Sequence, residues 1–401
     1  AQGRCKAQLV KTFFCIGASV ALEPMHLETK LVFFMMCIVV ARCDHRASRV
    51  RVDLGVDPEH RWDHIAAEYK DAFVKAMNTI FNDPAIAKIV PLAKALFGNE
   101  FEAKRLLTEE QYSEAKGIAR VIGIETSEVV LAAVFYDLFA AKDSPLASKA
   151  CTGIVAQSSS GEITHGRNLD YSFAKPLSAV VLVVDFVRNG TTVFTGVTMG
   201  PNPAFNTGVK YGAFSLSHDE RDSGNMLENA FDMLIRGRIA TFARIRQAMQ
   251  TVESFDDAVS FLSNAQLSAS SYFILGGTKS NEGAVITRNR DKAIDVWRLN
   301  AAAGTWYVLE TNYDHWKLPG SGDNRRAVVQ RALNATGASK INPATMWDVI
   351  SVTRANTAAG ERAPFNSMTV YSTVMQASGK PEEFKTVVRD HPAMADVTTI
   401  V

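Results

Sequence analysis

Residues 151–170 read Cys-Thr-Gly-Ile-Val-Ala-Gln-Ser-Ser-Ser-Gly-Glu-Ile-Thr-His-Gly-Arg-Asn-Leu-Asp, and they decide the fold. Cys151 to Gln157 is a short, mostly apolar run of strand length, and Ser159-Ser160-Gly161 supplies turn residues. The chain then returns through His165 to Asp170, so a hairpin here brings Arg167 and Asp170 back beside Cys151. Upstream the period is helical from about residue 58 to 141. Ile65, Tyr69, Phe73, Ala76, Met77 and Ile80 share one face, Thr108 and Gln111 can form a capping box, and a third helix follows Thr126. The change falls at Lys142-Asp143-Ser144-Pro145. Helices come first, then sheet.

Downstream, Val180 to Arg188 and Thr191 to Val197 are joined by Asn189-Gly190, a strong hairpin signal. Helices are expected over about 225–249 and 255–263, the second capped by Ser254 and Asp257. Strands follow at 271–277, 283–288, 293–299, 305–311 and 367–376. Helices are expected near 324–333 and 343–353, where Asn342-Pro343 supplies an N-cap and a first-turn proline. Antiparallel hairpins between helix pairs predict an α+β fold of two stacked sheets flanked by helices.

Composition excludes several classes. The 401 residues are 47% hydrophobic and 21% charged, too apolar for a disordered chain. Lys plus Arg is 43 and Asp plus Glu is 42, so no charge excess points to nucleic acid. Four of the five cysteines, Cys5, Cys15, Cys37 and Cys43, lie in the first 43 residues. There the apolar run Leu31 to Val40 follows Met25 and a short polar stretch, with small residues Ala41 and Cys43 before Asp44. That order predicts a secretory signal peptide, because a membrane span needs about 20 apolar residues. A buried core helix is the alternative for this run. Residues 1–24 read as upstream extension, so 1–43 are set apart as leader.

Removing the leader leaves one cysteine, Cys151, in a protein expected to be secreted or lysosomal. An unpaired thiol in an oxidising compartment calls for a reason. Two sequons, at Asn189 and Asn334, fit the secretory route as glycosylation sites. If the chain is cut between Ala150 and Cys151, one residue carries both a thiol and an α-amine, and the amine can serve as base for the thiol. The bland reading of Cys151 is a small buried hydrophobe. Arg167 and Asp170 also have a bland reading, as a structural ion pair. His165, His218 and His315 suggest a Cys-His dyad, yet a cysteine that opens a strand lacks the helix N-terminal setting of such nucleophiles, and the histidines read as structural.

Six segments carry a resemblance. They are Cys-Thr-Gly-Ile-Val-Ala-Gln (151–157), His-Gly-Arg-Asn-Leu-Asp-Tyr (165–171), Asp-Glu-Arg-Asp (219–222), Val-Ile-Thr-Arg-Asn-Arg (285–290), Glu-Thr-Asn-Tyr-Asp-His-Trp-Lys (310–317) and Asn-Arg-Arg (324–326). In order and spacing they resemble the N-acylethanolamine-hydrolysing acid amidases, from about residue 50 to 390. The wider group includes acid ceramidase and the bile-salt and penicillin V hydrolases. The resemblance implies the αββα four-layer sandwich of the N-terminal nucleophile hydrolases, preceded by a helical N-terminal segment. It implies a zymogen cut into a helical α chain (44–150) and a catalytic β chain (151–401), which stay together as a heterodimer. By position, Cys151 is similar to the nucleophile, Asp170 to the acid that holds the terminal amine, and Arg167 to the cation beside the thiolate. Asn312 matches the oxyanion-hole donor, Arg325 the arginine completing the cluster, and Glu220 the acid near the scissile bond and leaving group. Each also has a plainer reading, such as a turn contact for Asn312 or a solvated charged loop for Glu220.

The implied reaction is thiolate attack on an amide, loss of the amine and hydrolysis of a thioester, with no cofactor and no metal. Within the group, Tyr171 runs almost directly into Val180, where acid ceramidases carry a long insertion, so N-acylethanolamines are the expected substrates and ceramide the alternative. Met199-Gly200-Pro201-Asn202-Pro203 departs from the aromatic-rich pocket loop of the familiar amidases, and Thr357 to Arg362 reads as an insertion. Ile86, Ile89, Val90, Ala93, Leu96 and Phe97 follow helical spacing beside Lys88 and Lys94, with Pro91 expected to bend the helix. That stripe suits either a membrane or micelle surface or the core. A reading of another class is a lipid-binding protein without catalysis, against which the intact Cys-Arg-Asp-Asn-Arg set argues.

Overall fold

The computed structural model describes residues 44–97, 100–144, 151–221, 223–319 and 323–389. The leader expected over 1–43, Ala150 on the N-terminal side of the expected cut, and Asp222 lie outside the described residues.

Two sheets stack face to face. The first has six strands in the order His45–Arg46, Lys385–Val388, Thr369–Met375, Ile163–Asp170, Cys151–Gln157, Tyr307–Glu310. The second has eight, in the order Ala293–Arg298, Gly283–Arg288, Ser271–Gly276, Phe214–Glu220, Thr207–Lys210, Thr191–Met199, Val181–Arg188, Ser48–Asp53. The period of two along the Cys151 strand divides its side chains between layers. Ile154 and Ala156 pack with Val329, Leu333, Met346 and Ile350 of the helices Arg325–Thr336 and Pro343–Ile350. Val155 packs instead with Ile163, Ile274 and Val285 between the sheets. Gly153 sits where the sheets come closest: a Cβ there would meet Ile274 at 3.0 Å and Ser217 Oγ at 3.1 Å. Helices Thr241–Thr251 and Phe255–Asn264 and the N-terminal helices cover the second sheet. The layers are therefore helix, sheet, sheet, helix, as expected.

The N-terminal segment is locked to the rest by buried polar groups. Glu114, fully buried on the helix Glu109–Ile122, accepts from Arg61 Nη1 at 2.9 Å, Trp62 Nε1 at 2.9 Å and Arg246 Nη2 at 3.0 Å. On the helix Thr126–Phe139, Asp137 accepts from Thr241 N at 2.9 Å and Ser268 Oγ at 3.0 Å, and Tyr136 donates to Ser270 O at 2.6 Å. Removing one partner from such a buried set typically costs about 3–5 kcal/mol, so the two segments are held as one body.

The structure corrects several expectations. Strands His45–Arg46 and Ser48–Asp53 precede the helices, so residues 44–150 are not wholly helical; the second pairs parallel with Val181–Arg188. The helix expected over 225–249 is two, Met226–Leu234 and Thr241–Thr251. Gly237 breaks it with a φ of +62°, a conformation that L side chains seldom adopt, and the Arg105 guanidinium fills the space a Cβ would take. Strands Thr207–Lys210, Phe214–Glu220 and Lys385–Val388 were not anticipated. In the stripe from Ile86 to Phe97, Ile86, Val90, Ala93 and Phe97 are buried in the core. Pro91 does not bend a helix; it lies in the first turn of Val90–Phe97, where a missing N–H is tolerated. Other apolar side chains are exposed, among them Leu92, Phe101, Leu227, Phe231 and Ile235. Arg105, on the helix Glu100–Leu106, ties it to the end of Met226–Leu234, donating to Leu234 O at 3.3 Å and Ile235 O at 3.1 Å. Among the described residues no helix is long and apolar enough to cross a membrane.

Candidate active site

Cys151 opens its strand opposite Leu169, and Gly153 stands opposite Arg167 in the same ladder. Arg167 therefore points toward the second sheet, where it is fully buried and pairs with Asp219. Thr369 pairs with Asp170 on the other side, and Asn366 Nδ2 donates to Asp170 Oδ2 at 2.8 Å. Asn312 closes the cluster. Its Oδ1 accepts from Cys151 N at 2.6 Å and from Arg325 Nη2 at 3.1 Å, while its Nδ2 donates to Glu220 O at 2.9 Å. Arg325 Nη1 donates to Cys151 O at 2.5 Å, so both backbone groups of Cys151 are gripped.

Asn312 holds a φ of +75°, a left-handed conformation that asparagine tolerates better than most residues. The turn around it is braced. Glu310, fully buried, accepts from Thr311 N at 2.8 Å, Tyr313 N at 3.1 Å and Arg326 Nη2 at 3.0 Å. Asp314 accepts from Arg221 Nε at 2.9 Å and Tyr272 Oη at 2.7 Å, joining the Asn312 turn to the residue after Glu220.

Cys151, Arg167, Asp170 and Glu220 line one small cavity with Tyr136, Tyr171, Asn206, His218 and Phe242. Tyr136, Tyr171 and Phe242 also line a second, apolar cavity of about 60 Å³, walled by Met77, Ile80, Phe135, Phe173, Met199 and Phe205 among others. A polar chamber containing the thiol thus adjoins an apolar one. Burial raises the Cys151 thiol to about 11, while Arg167 draws it down. Burial works against the Arg167 charge, yet Cys151 and Asp219 raise its pKa overall. Asp170 Oδ1, Asp219 Oδ2 and Arg167 Nε and Nη2 are buried without hydrogen-bond partners, so the cluster has unused capacity around the thiol.

All six residues singled out by motif belong to this cluster. Glu220 is a cavity wall at a strand end rather than part of a solvated loop. Asn312 and Arg325 hold the Cys151 backbone N–H and carbonyl. Asn189 and Asn334 are exposed and distinct from it. His165 is held between Ser215 Oγ at 3.0 Å and Ser217 Oγ at 2.9 Å, and burial pushes it down to about 3, so it is a neutral core residue. His218 borders the cavity, and burial keeps it neutral too.

A family profile for linear amide C–N hydrolases of the choloylglycine hydrolase family matches residues 151–340. Another, for the beta subunit of N-acylethanolamine-hydrolyzing acid amidase, matches residues 46–101. The Rattus norvegicus N-acylethanolamine-hydrolyzing acid amidase is 35% identical over 340 residues, covering 84% of this chain and 88% of that protein. Homo sapiens acid ceramidase is 31% identical over 365 residues, covering 85% of this chain and 86% of that one. The chain belongs to the choloylglycine hydrolase family of linear amide C–N hydrolases. A solved Caenorhabditis elegans N-acylethanolamine-hydrolyzing acid amidase ortholog superposes with a TM-score of 0.53 at 35% identity, over 60% of this chain and 100% of that chain.

For this choloylglycine-family amide hydrolase, motif reading missed Asp219, Asn206 and the aromatic walls Tyr136 and Phe242. Asp219 stands beside Glu220 in a charged run, and only the strand Phe214–Glu220 turns it inward to Arg167. A period-two pattern was legible there, with Phe214, Leu216 and His218 on one face, but the polar alternate face concealed it.

The buried carboxyls give the amidase a defined stability profile. Burial raises Asp137, Asp170 and Asp219 to about 6 and Glu310 to about 8. An ordinary carboxyl titrates near ~4, so folding favours their protonated forms, and this stability is lost as pH rises through those values. Against burial, Arg221, Lys317 and Tyr272 hold Asp314 below the usual range, and its contribution fades only under pH ~4. The melting temperature is expected to rise as pH falls from about 8 to 5. A melting temperature that falls across that window would contradict the assignment.

Proposed function

We propose that this amide hydrolase acts on N-acylethanolamines, releasing fatty acid and ethanolamine at acidic pH, with Cys151 as an N-terminal nucleophile. The observation that carries this reading is the pair of adjoining cavities. The polar one presents Cys151, Arg167 and Asp170 to an amide, and the apolar one beside it suits an acyl chain. The chain is cut before Cys151 in the proposed maturation. In support, two separate family profiles match the chain on either side of the expected cut, one over 46–101 and the other starting at residue 151.

Cutting converts the Cys151 peptide N–H into an α-amine, which brings additional donors to a site where Asp170 Oδ1 lacks one. The amine then accepts the thiol proton as base. Sulfur attacks the amide carbon, the amine leaves with that proton, and water releases the acid. Arg167 stabilises the thiolate, and Glu220 stands where the leaving group exits. Secretion or lysosomal delivery, with glycosylation at the exposed Asn189 and Asn334, belongs to the same reading. So does peripheral contact with membranes or micelles, through Phe101, Leu227, Phe231 and Ile235 with Arg105 and Arg236 nearby.

Rates on an N-acylethanolamine and a ceramide of equal acyl length, measured side by side at acidic pH, test the substrate. The ethanolamide is expected to turn over at least about tenfold faster, a difference of about 1.4 kcal/mol in barrier. Equal or faster ceramide hydrolysis would overturn the ethanolamide reading and leave the amide hydrolase intact.

A further inference from the structure

Asn206 borders the Cys151 cavity, is 2% exposed, and has an amide Nδ2 without a hydrogen-bond partner. A buried donor left unpaired costs about 1–3 kcal/mol, so a group of this kind beside a reactive thiol points to a ligand. Its orientation is fixed from the other end. Oδ1 accepts from Tyr371 Oη at 2.8 Å and from Thr207 Oγ1 at 3.3 Å, and those two hydroxyls lie 2.9 Å apart. Burial raises Tyr371 to about 12, so its hydroxyl keeps a hydrogen to donate. Arg167 faces the same hydroxyl and attracts its oxygen, which directs the hydrogen to Asn206. Flipping the amide would set N–H against those donors. The Nδ2 group is therefore the end left for the cavity.

The remaining walls say what it meets there. An acyl chain filling the apolar cavity passes Tyr136, Tyr171 and Phe242 to bring its carbonyl carbon to Cys151. The carbonyl oxygen then needs neutral donors near the sulfur. Arg167 gives Nη1 to Asp219 while its charge serves the thiolate, and one Asn312 amide hydrogen is engaged by Glu220 O. We propose that Asn206 Nδ2 donates a hydrogen bond to the carbonyl oxygen of the bound amide and to the oxyanion formed from it, as a second donor beside Asn312. This rests on the reading of Cys151 as nucleophile.

The step balances as follows. A sulfur lone pair forms the S–C bond, and the C=O π pair moves onto oxygen, where Asn206 meets it. The pair returns, the C–N bond breaks, and the nitrogen departs with the proton taken from the thiol. Water then adds to the thioester carbon through the same oxyanion. Collapse breaks the S–C bond, yields the carboxylic acid, and returns a proton to sulfur. A neutral amide suits this place, because it stabilises the transient oxyanion without competing with Arg167 for the thiolate.

Two substitutions test it. Asn206→Leu is near in volume and has no donor. Asn206→Asp keeps acceptor oxygens for Tyr371 and Thr207 and loses the donor, so it decides the matter if the leucine variant does not fold. The readouts are kcat per titrated Cys151 thiol and affinity for a long-chain fatty aldehyde, whose thiohemiacetal oxygen takes the oxyanion position. A fatty alcohol of equal length serves as the control. The expected result is a fall of about 10²–10³-fold in kcat and a parallel fall in aldehyde affinity, with alcohol binding changed by less than about threefold. A merely structural role would lower yield and melting temperature without changing the aldehyde-to-alcohol ratio. Unchanged kcat and aldehyde affinity in a folded variant would overturn the proposal. Cys151→Ala, assayed in parallel, separates the two readings: retained turnover in it defeats the nucleophile, whereas its loss beside fully active Asn206 variants defeats this inference alone.

Discussion

Cys151→Ala is expected to remain a single uncut chain and to lose turnover by about 10⁴-fold or more, the scale seen when a covalent nucleophile is removed. The tyrosines and the histidine of the cavity cannot take its place. Burial holds the Tyr171 and Tyr136 hydroxyls well above their usual pKa, and His218 is kept neutral among aromatic rings. Cys151 is 6% exposed and small, so alanine fits with little loss of packing. Folding is therefore retained, and melting temperature compared with wild type checks that. Turnover above about one-tenth of wild type would remove Cys151 from the chemistry.

Arg167→Met carries the second large effect. The methionine preserves length and removes the charge that both pairs with Asp219 and faces the thiol. Breaking a buried pair on one side typically costs about 3–5 kcal/mol, because the surviving charge is left without a partner. The expected outcome is a clear fall in melting temperature and a loss of about 10²–10³-fold in kcat/KM. The pH profile of thiol alkylation should also shift upward, since burial and the Asp219 and Asp170 carboxyls then raise Cys151 without the Arg167 charge against them. Adding Asp219→Asn removes the stranded carboxylate and should return stability without returning activity. An unshifted alkylation profile in Arg167→Met would show that the guanidinium does not act on the thiol.

The order of helices then hairpins, and the Cys151 hairpin with Arg167 and Asp170 on its return, could be read from the chain because strand period and turn residues are local signals. The side chains that complete the site could not. Asp219 and Asn206 are polar residues on buried strands or their ends, where local polarity reads as loop and only sheet stacking turns them inward. The strand Ser48–Asp53 alternates Val50 and Val52 with Arg49 and Arg51, yet its place is set by Asp185, which Arg49 grips at 2.7 Å from across 136 residues. The stripe from Ile86 to Phe97 shows the converse. Its spacing was plain, but spacing does not say which partner covers it, and tertiary packing gave it to the core. At Gly237 the helical period runs on through a residue whose backbone, beside Arg105, cannot.

The intact masses of the purified protein, held at acidic pH and separated under denaturing conditions, test the central claim most directly. Two fragments are expected, the larger beginning with Cys151 and bearing both its free α-amine and its thiol, and activity should appear in step with it. Full amide hydrolysis by a chain in which Cys151 remains peptide-bonded to Ala150 would contradict the account.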